Sequence, residues 1–439
     1  MRFSFKQFAL FVISLAFSIS AASLYVAAAP GDLDTSFGIL GQVQDSTLSD
    51  IRGTAVQADG KIIAVGQKNS QAAIVRYNFD GSVDYSFGTQ GMAVLGTPAY
   101  TLFYSVVLQD DGKIVAAGRS DGNAFVVRLN TDGTLDTTFS GDGKLAISFA
   151  TTFFLTALSD IALVPNSDRI VVAGTLDYDS VDYPCVDGSN VVLARINSNG
   201  TLDTSFDGNG KKAIDLECRD VLTSIAIHPT NEKIAFTVEG HGDFEVGMLN
   251  ANGSFDTSFG GDGMVETDFN GTSYQSDRAE CIAFQRWFVT VGGFPAFVTR
   301  LVVGGTAYGS SVTVYDSALA RYKLDGSLDT SFDGDGKVRK SLTYAYDSID
   351  AIEIDSQQRI VTTGPRGWNG KYDFAVTRFT RDGAYDATFG NVGKVHTQFF
   401  WNGVRTSSRP YAVALAPDGK IVAGGGASEL DAIMARYEP

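Results

Sequence analysis

The sequence predicts an all-β fold: a seven-bladed β-propeller with four antiparallel strands per blade, its ring closed by the N-terminal strand pairing with the C-terminal blade. Three observations predict it. First, one phrase recurs seven times: LDTSF (Leu33 to Phe37), VDYSF (Val83 to Phe87), LDTTF (Leu135 to Phe139), LDTSF (Leu202 to Phe206), FDTSF (Phe255 to Phe259), LDTSF (Leu328 to Phe332) and YDATF (Tyr385 to Phe389). Steps between successive phenylalanines are 50, 52, 67, 53, 73 and 57 residues, and a Gly follows each Phe by four. A fixed phrase at such spacing marks a repeat architecture. Second, each unit offers four short apolar segments separated by Asp-Gly turns. Third, the first and last units are each incomplete, and together they make one blade.

The N-terminus comes first. Arg2 and Lys6 precede an apolar run from Phe8 to Ile19, and Ala27, Ala28 and Ala29 follow. This is the layout of a signal peptide spanning residues 1–29, with a run too short for a membrane span. Residues 30–439 are then a single propeller, expected to be exported to the periplasm, the cell surface or the medium, with no membrane insertion after cleavage. Cleavage would move the formal charge from −16 to −18. Such an acidic chain repels phosphate backbones, which argues against a nucleic-acid partner.

The second unit shows the strand pattern. Tyr104 to Gln109 ends at an Asp-Gly turn, Lys113 to Gly118 (KIVAAG) follows, Ala124 to Asn130 is the third strand, and Lys144 to Ser148 is the fourth. Gly in these turns takes positive φ without strain. At the chain ends, residues 31–46 supply one phrase and one strand, while Tyr411 to Ala416, Lys420 to Gly425 and Ala432 to Tyr437 supply three. Joining them closes the ring and removes its open sheet edges.

The phrase reads as framework. Its Asp and Ser/Thr suit an Asx-type turn, and its Phe is sized for burial between blades, worth roughly 1.5–3 kcal/mol. Eight residues before the Asp stands an Arg: Arg76, Arg128, Arg195, Arg321 and Arg378 precede Asp84, Asp136, Asp203, Asp329 and Asp386. Arg436 would meet Asp34 through ring closure, and Met248 breaks the series in unit four. A repeated, partly buried Arg–carboxylate contact is expected. With Phe87, Phe139, Phe206, Phe332 and Phe389 these are the structural residues.

The segments APDGKIVAGG (Ala416 to Gly425), DAIMARY (Asp431 to Tyr437) and DGSLDTSF (Asp325 to Phe332) resemble the delta-60 repeat family. The resemblance implies a bacterial exported β-propeller-type protein and no common catalytic activity. Two departures stand out: unit four reads HPTNEK (His228 to Lys233) where others have PDGK, and unit five carries an insertion from Arg286 to Thr299.

Catalytic signatures are few. The three histidines, His228, His241 and His396, have no metal-ligand spacing. Gly-Asp-Gly runs such as Asp333 to Gly336 are similar to calcium loops but lack their ligand series, so no cofactor is expected and calcium is the one ion the pattern would admit. Cys185 and Cys218 belong to loops on the same face and form a candidate disulfide. Cys281 falls on an inner strand as a buried thiol.

Irregular loops collect on the face carrying the connections after strands two and four. They place Asp177, Tyr178, Tyr183, Tyr274, Asp277, Tyr315, Asp316, Trp368, Tyr372 and Trp401 there. Aromatic side chains beside carboxylates on a rigid scaffold suit sugars, peptides or cations. The expectation is a monomeric, non-catalytic binding or scaffold module for a polysaccharide, peptide or protein. The alternative is a lactonase-like hydrolase or lyase with a divalent metal at the central channel, for which the inner strands offer Glu280, Asp350 and Glu353.

Overall fold

In the computed structural model, residues 28–95, 100–149, 155–177, 189–216, 220–240, 242–269, 277–308, 315–343, 346–428 and 430–439 are described. Residues Ile114 to Ser120 show why each unit folds as it does. This second strand of blade 2 is apolar on both faces and almost wholly buried, because neighbouring blades cover both sides of it. Its partners are the inner strand Leu102–Leu108, the third strand Asn123–Leu129 and the outer strand Lys144–Ile147, all antiparallel. The observed limits differ from the expected ones by a residue or two.

Seven such four-stranded sheets form the ring, with inner strands Asp50–Val56, Leu102–Leu108, Leu155–Leu163, Val221–Ile227, Arg278–Val291, Ala351–Ile354 and Ser408–Leu415. Each inner strand contacts the next, and the last contacts the first. Closure is made by Gln42–Asp45 pairing with Leu430–Tyr437. The core is accordingly divided into seven apolar clusters, one for each interface between adjacent blades.

The repeated phrase sits at these interfaces. All seven phenylalanines are at most 1% exposed. The ring of Phe87 lies against Gly133 of the next blade's turn, where a Cβ would stand 2.9 Å from it. Asp84 accepts the Ser86 amide at 3.0 Å and its hydroxyl at 2.6 Å, closing the turn. Arg76 donates to the other Asp84 oxygen at 2.7 Å and stacks on Phe87 at 4.6 Å. Its remaining N–H donates to the Thr131 carbonyl of the next blade. Arg128, Arg195, Arg321 and Arg436 likewise each reach one carbonyl of the following blade, those of Ser198, Ala251, Arg381 and Phe79. The six Arg–Asp pairs, including Arg378–Asp386 and Arg436–Asp34, measure 2.7–3.0 Å.

A second cation escaped the sequence reading. The basic residue just before the second strand, or within it in blade 5, also reaches the phrase Asp: Lys61, Lys113, Arg169, Lys233, Arg300, Arg359 and Lys420, at 2.5–3.5 Å. In blade 4, where Met248 replaces the Arg, Lys233 alone serves Asp256.

The insertion in unit five lengthens one hairpin. Arg278–Val291 pairs with Phe294–Tyr308 along its whole length, and the two strands run out past the sheet to a Gly292-Gly293 turn. Phe294 at the tip is 76% exposed, and Phe288, Val291 and Phe297 are exposed with it.

Candidate binding site at the channel mouth

In six inner strands a β-bulge falls at the same level. The Gly that ends the KIVAAG segment favours it. A Cβ at Gly118 would stand 1.9 Å from the Leu102 carbonyl, so the inner strand can press against the second strand there. Blade 4 keeps its bulge with Val238 at that position, so glycine favours the bulge without being required for it. A bulge re-aims the side chain it inserts. Arg52, Tyr104, Ser159, Thr223, Glu280 and Tyr411 occupy these places, Asp350 takes the equivalent one in blade 6, and all seven line a central cavity of about 610 Å³.

Four carboxyl groups face this cavity, and they are held very differently. Asp160 accepts from the Ser105 and Ser224 hydroxyls at 3.0 and 2.9 Å and from the Ile161 and Ile225 amides at 2.8 and 2.9 Å. It therefore clamps blades 2, 3 and 4 together. Asp350 pairs with Arg409 at 3.0 Å and accepts the Ser348 hydroxyl at 2.5 Å; burial raises its pKa and Arg409 opposes the rise. Glu280 is pushed up to about 8, first by burial and then by the neighbouring Asp350 carboxylate. Glu353 is pushed up to about 7 by burial alone. Glu280, Asp350 and Glu353 were visible in the sequence. Asp160 was not, since one Asp in the strand LTALSDIAL reads as an outward residue, and only the serines across the ring reveal it.

Above the cavity runs an arc of aromatic and basic side chains. Ring centroids of Tyr308 and Tyr315 lie 5.1 Å apart, those of Tyr315 and Tyr346 5.4 Å, and those of Tyr346 and Tyr372 6.0 Å. Arg409 continues it, 5.9 Å from Tyr346 and 6.0 Å from Tyr411, and Arg52 lies 4.4 Å from the Tyr411 ring. Tyr372, Arg409, Tyr411 and Asp50 line a recess of about 380 Å³ at the same mouth. Exposed Trp368 stands beside the arc with Arg366 5.4 Å from its ring. Phe400 and Trp401, expected in a loop, form a small hairpin with Val404–Arg405 and are about half exposed.

Of the residues singled out in sequence, Tyr315, Trp368 and Tyr372 belong to the arc or its flank, and Trp401 shares the face. Asp177 is exposed at the end of a second strand, in blade 3. Asp277 and Asp316 are engaged internally instead. Asp277, 2% exposed, accepts the Phe269 and Tyr308 amides at 2.9 and 2.8 Å, and Asp316 pairs with Arg339 at 2.8 Å. Tyr178, Tyr183, Tyr274, Cys185, Cys218, His241 and residues 1–27 lie outside the described residues. Cys281 is a buried free thiol. The Gly-Asp-Gly runs serve turns: Asp335 accepts the Lys337 amide at 2.9 Å, and Asp142 accepts that of Lys144 at 2.9 Å. Among the described residues, three carboxylates come within 4.8 Å of one another only at Asp243, Asp268 and Asp277, outside the channel. Among the described residues the channel acids make no such set of three.

Comparison with known proteins agrees with the architecture. A family model described as a domain of unknown function (DUF5122) beta-propeller matches residues 57–87, 109–139, 166–206 and 300–332. No curated protein matches the chain. Among solved structures, virginiamycin B lyase from Staphylococcus aureus is similar, with 10% identity, a TM-score of 0.50, and coverage of 91% of this chain and 98% of that one. A streptogramin B lyase is similar to the same degree, with 10% identity, a TM-score of 0.50, and coverage of 90% and 96%. At that identity the likeness is one of fold. The chain is a repeat protein of the β-propeller class.

Proposed function

We propose that this chain is an exported, non-catalytic propeller of the delta-60 repeat type that binds a polysaccharide, peptide or protein on the face bearing the loops after strands two and four. One observation carries the reading: the Tyr308–Tyr315–Tyr346–Tyr372 arc continues through Arg409, Tyr411 and Arg52 to the mouth of an open channel. Edge-to-face and tilted rings, flanked at one end by guanidinium groups, give a rigid, amphipathic platform that loses little side-chain entropy on binding. Glycan and peptide arrays probed with the wild-type protein and with Trp368→Ala and Trp401→Ala test it. Signal that falls in the variants supports the face, and absent or unaffected signal sinks it.

A second reading has one observation behind it. The Glu280 carboxyl, raised to about 8 beside Asp350, has the profile of a general acid in a cleft. Hydrolase or lyase chemistry here would use these carboxyls as general acid and base.

A further inference from the structure

The blade 5 arm leaves the ring on the face opposite the tyrosine arc, because the turns after strands one and two lie at opposite ends of a blade. From Trp287 to Thr299 it carries no charged residue. Phe288, Val291, Phe294 and Phe297 are each more than half exposed. Phe288 and Phe297 meet edge to face at 5.6 Å, and the Arg286 guanidinium at the base covers Phe297 at 4.0 Å. Proteins protect open strand edges with charge, with proline or with a covering element. The arm has one of these devices, and on one edge only.

The register shows which edge is protected. Gly292 and Gly293, at φ 57° and 83°, make a two-residue turn, so the pair that closes it, Val291 and Phe294, exchanges backbone bonds within the hairpin. The alternate pairs Thr290–Pro295, Phe288–Phe297 and Arg286–Thr299 turn their backbone groups outward instead. Arg286 fixes this phase, since its amide donates out of the hairpin to the Gln358 side-chain oxygen at 2.8 Å. On the second strand the outward position nearest the tip is Pro295, which has no N–H, and that edge is blocked. On the first strand Phe288 and Thr290 point outward. Arg278–Val291 is the edge strand of its sheet, so among the described residues no strand receives them.

We propose that this open edge joins two copies of the chain, in place of the monomer expected from the sequence. The first arm strands pair antiparallel about a two-fold axis at Val289, with Phe288 opposite Thr290 of the second copy and Thr290 opposite its Phe288. This register is self-complementary, because Phe288 and Thr290 both present their backbone groups to the same edge and each pair exchanges both N–H···O bonds. It ends where Arg286, already bonded to Gln358, falls opposite Gly292 of the second copy. With the other edge blocked by Pro295, the contact closes at two copies and does not propagate as a fibre. Each tip reaches the base of the other arm, where Arg286 lines the channel cavity, and so lies against the underside of the opposite ring. Three phenylalanine rings, at roughly 150–250 Å² for a whole aromatic side chain, together with Val291 bring the area covered over two copies to about 1,000 Å², the threshold for a specific interface. An uncharged arm is also where two chains of formal charge −16 meet with least repulsion.

Analytical ultracentrifugation of the purified protein tests this. Wild type should sediment as two copies at about 100 µM. Thr290→Pro removes an outward amide without touching a bond inside the hairpin, as Pro295 does on the other strand, and should halve the particle mass. Replacing residues 289–296 by Asn-Gly should halve it as well. Both variants should keep a cooperative melting transition, which excludes misfolding as the cause. In wild type, hydrogen exchange at the Phe288 and Thr290 amides should slow as concentration rises, a readout that needs no variant. One copy at every concentration, a folded Thr290→Pro that still pairs, mass that grows beyond two copies, or exchange independent of concentration would each overturn the proposal. So would a single-copy wild type whose arm binds phosphatidylcholine vesicles, since the arm would then meet lipid and not a second copy.

Discussion

At the scale of single residues, the Asp of the repeated phrase answers two neighbours at once. One oxygen closes the turn and the other meets the cations, so loss of its charge strands whatever cation cannot reach water. Arg321 is fully buried against Asp329, whereas Lys233, the one cation on Asp256 among the described residues, is part exposed. Asp329→Asn keeps a turn acceptor but leaves a buried guanidinium beside a neutral amide, and should cost about 3–5 kcal/mol. Asp256→Asn lets Lys233 rehydrate and should cost roughly 1 kcal/mol. Urea unfolding of both variants measures the difference, and equal losses would contradict the assignment. The Arg half of this contact was legible in the sequence because it recurs eight residues before the Asp. The Lys half was not, since a lysine after Asp-Gly reads as part of a turn and its distance to the Asp varies with loop length.

At the scale of elements, the inner strands and the blade 5 hairpin depart most from what the sequence allowed. Which inner-strand residues face the channel depends on the bulge, a register shift set by contact with the second strand. Alternation alone therefore named Glu280, Asp350 and Glu353 as candidates but could not say how the bulge sets their burial, or that Asp160 joins three blades. The tyrosine arc was legible only in part, because Tyr346, Arg409 and Tyr411 come from elements whose meeting is a property of the closed ring. The Arg286–Thr299 insertion has strand composition, yet it has no third strand to cover it, and so it projects with its apolar residues exposed. Its base engages the blades: the Arg286 amide donates to the Gln358 side-chain oxygen at 2.8 Å, and the Trp287 ring meets Arg321 at 5.3 Å and Arg381 at 5.1 Å. Replacing residues 289–296 by Asn-Gly, a two-residue turn that fits the Phe288–Phe297 pair, should leave the melting temperature within a few degrees and lower the binding of a hydrophobic dye. Loss of the folded state would show that the arm supports the ring.

At the scale of the whole molecule, framework and site obey opposite electrostatic rules. Burial opposes ionisation of Asp136 and Asp203, yet the Thr138 and Ser205 groups and the arginines hold both near about 2. Their contribution to stability is present above the ordinary carboxylate range and is lost as pH falls through it toward their folded values. Glu280 and Glu353 are raised to about 8 and about 7 from an ordinary 4.5. The folded protein holds their protons while the unfolded chain releases them, so their penalty grows from about pH 4.5 upward and levels off above the folded values. Seven blades and the closing strand were plain in the sequence because repetition reports architecture; a site placed where the repeat is broken has no second copy to announce it. These two carboxyls therefore weaken the ring at neutral and alkaline pH. Thermal unfolding of the Glu280→Gln/Glu353→Gln double variant beside wild type tests that most directly. The account predicts equal melting temperatures near about pH 4 and a variant more stable by a few degrees near about pH 8.5; a variant less stable than wild type at the higher pH would contradict it.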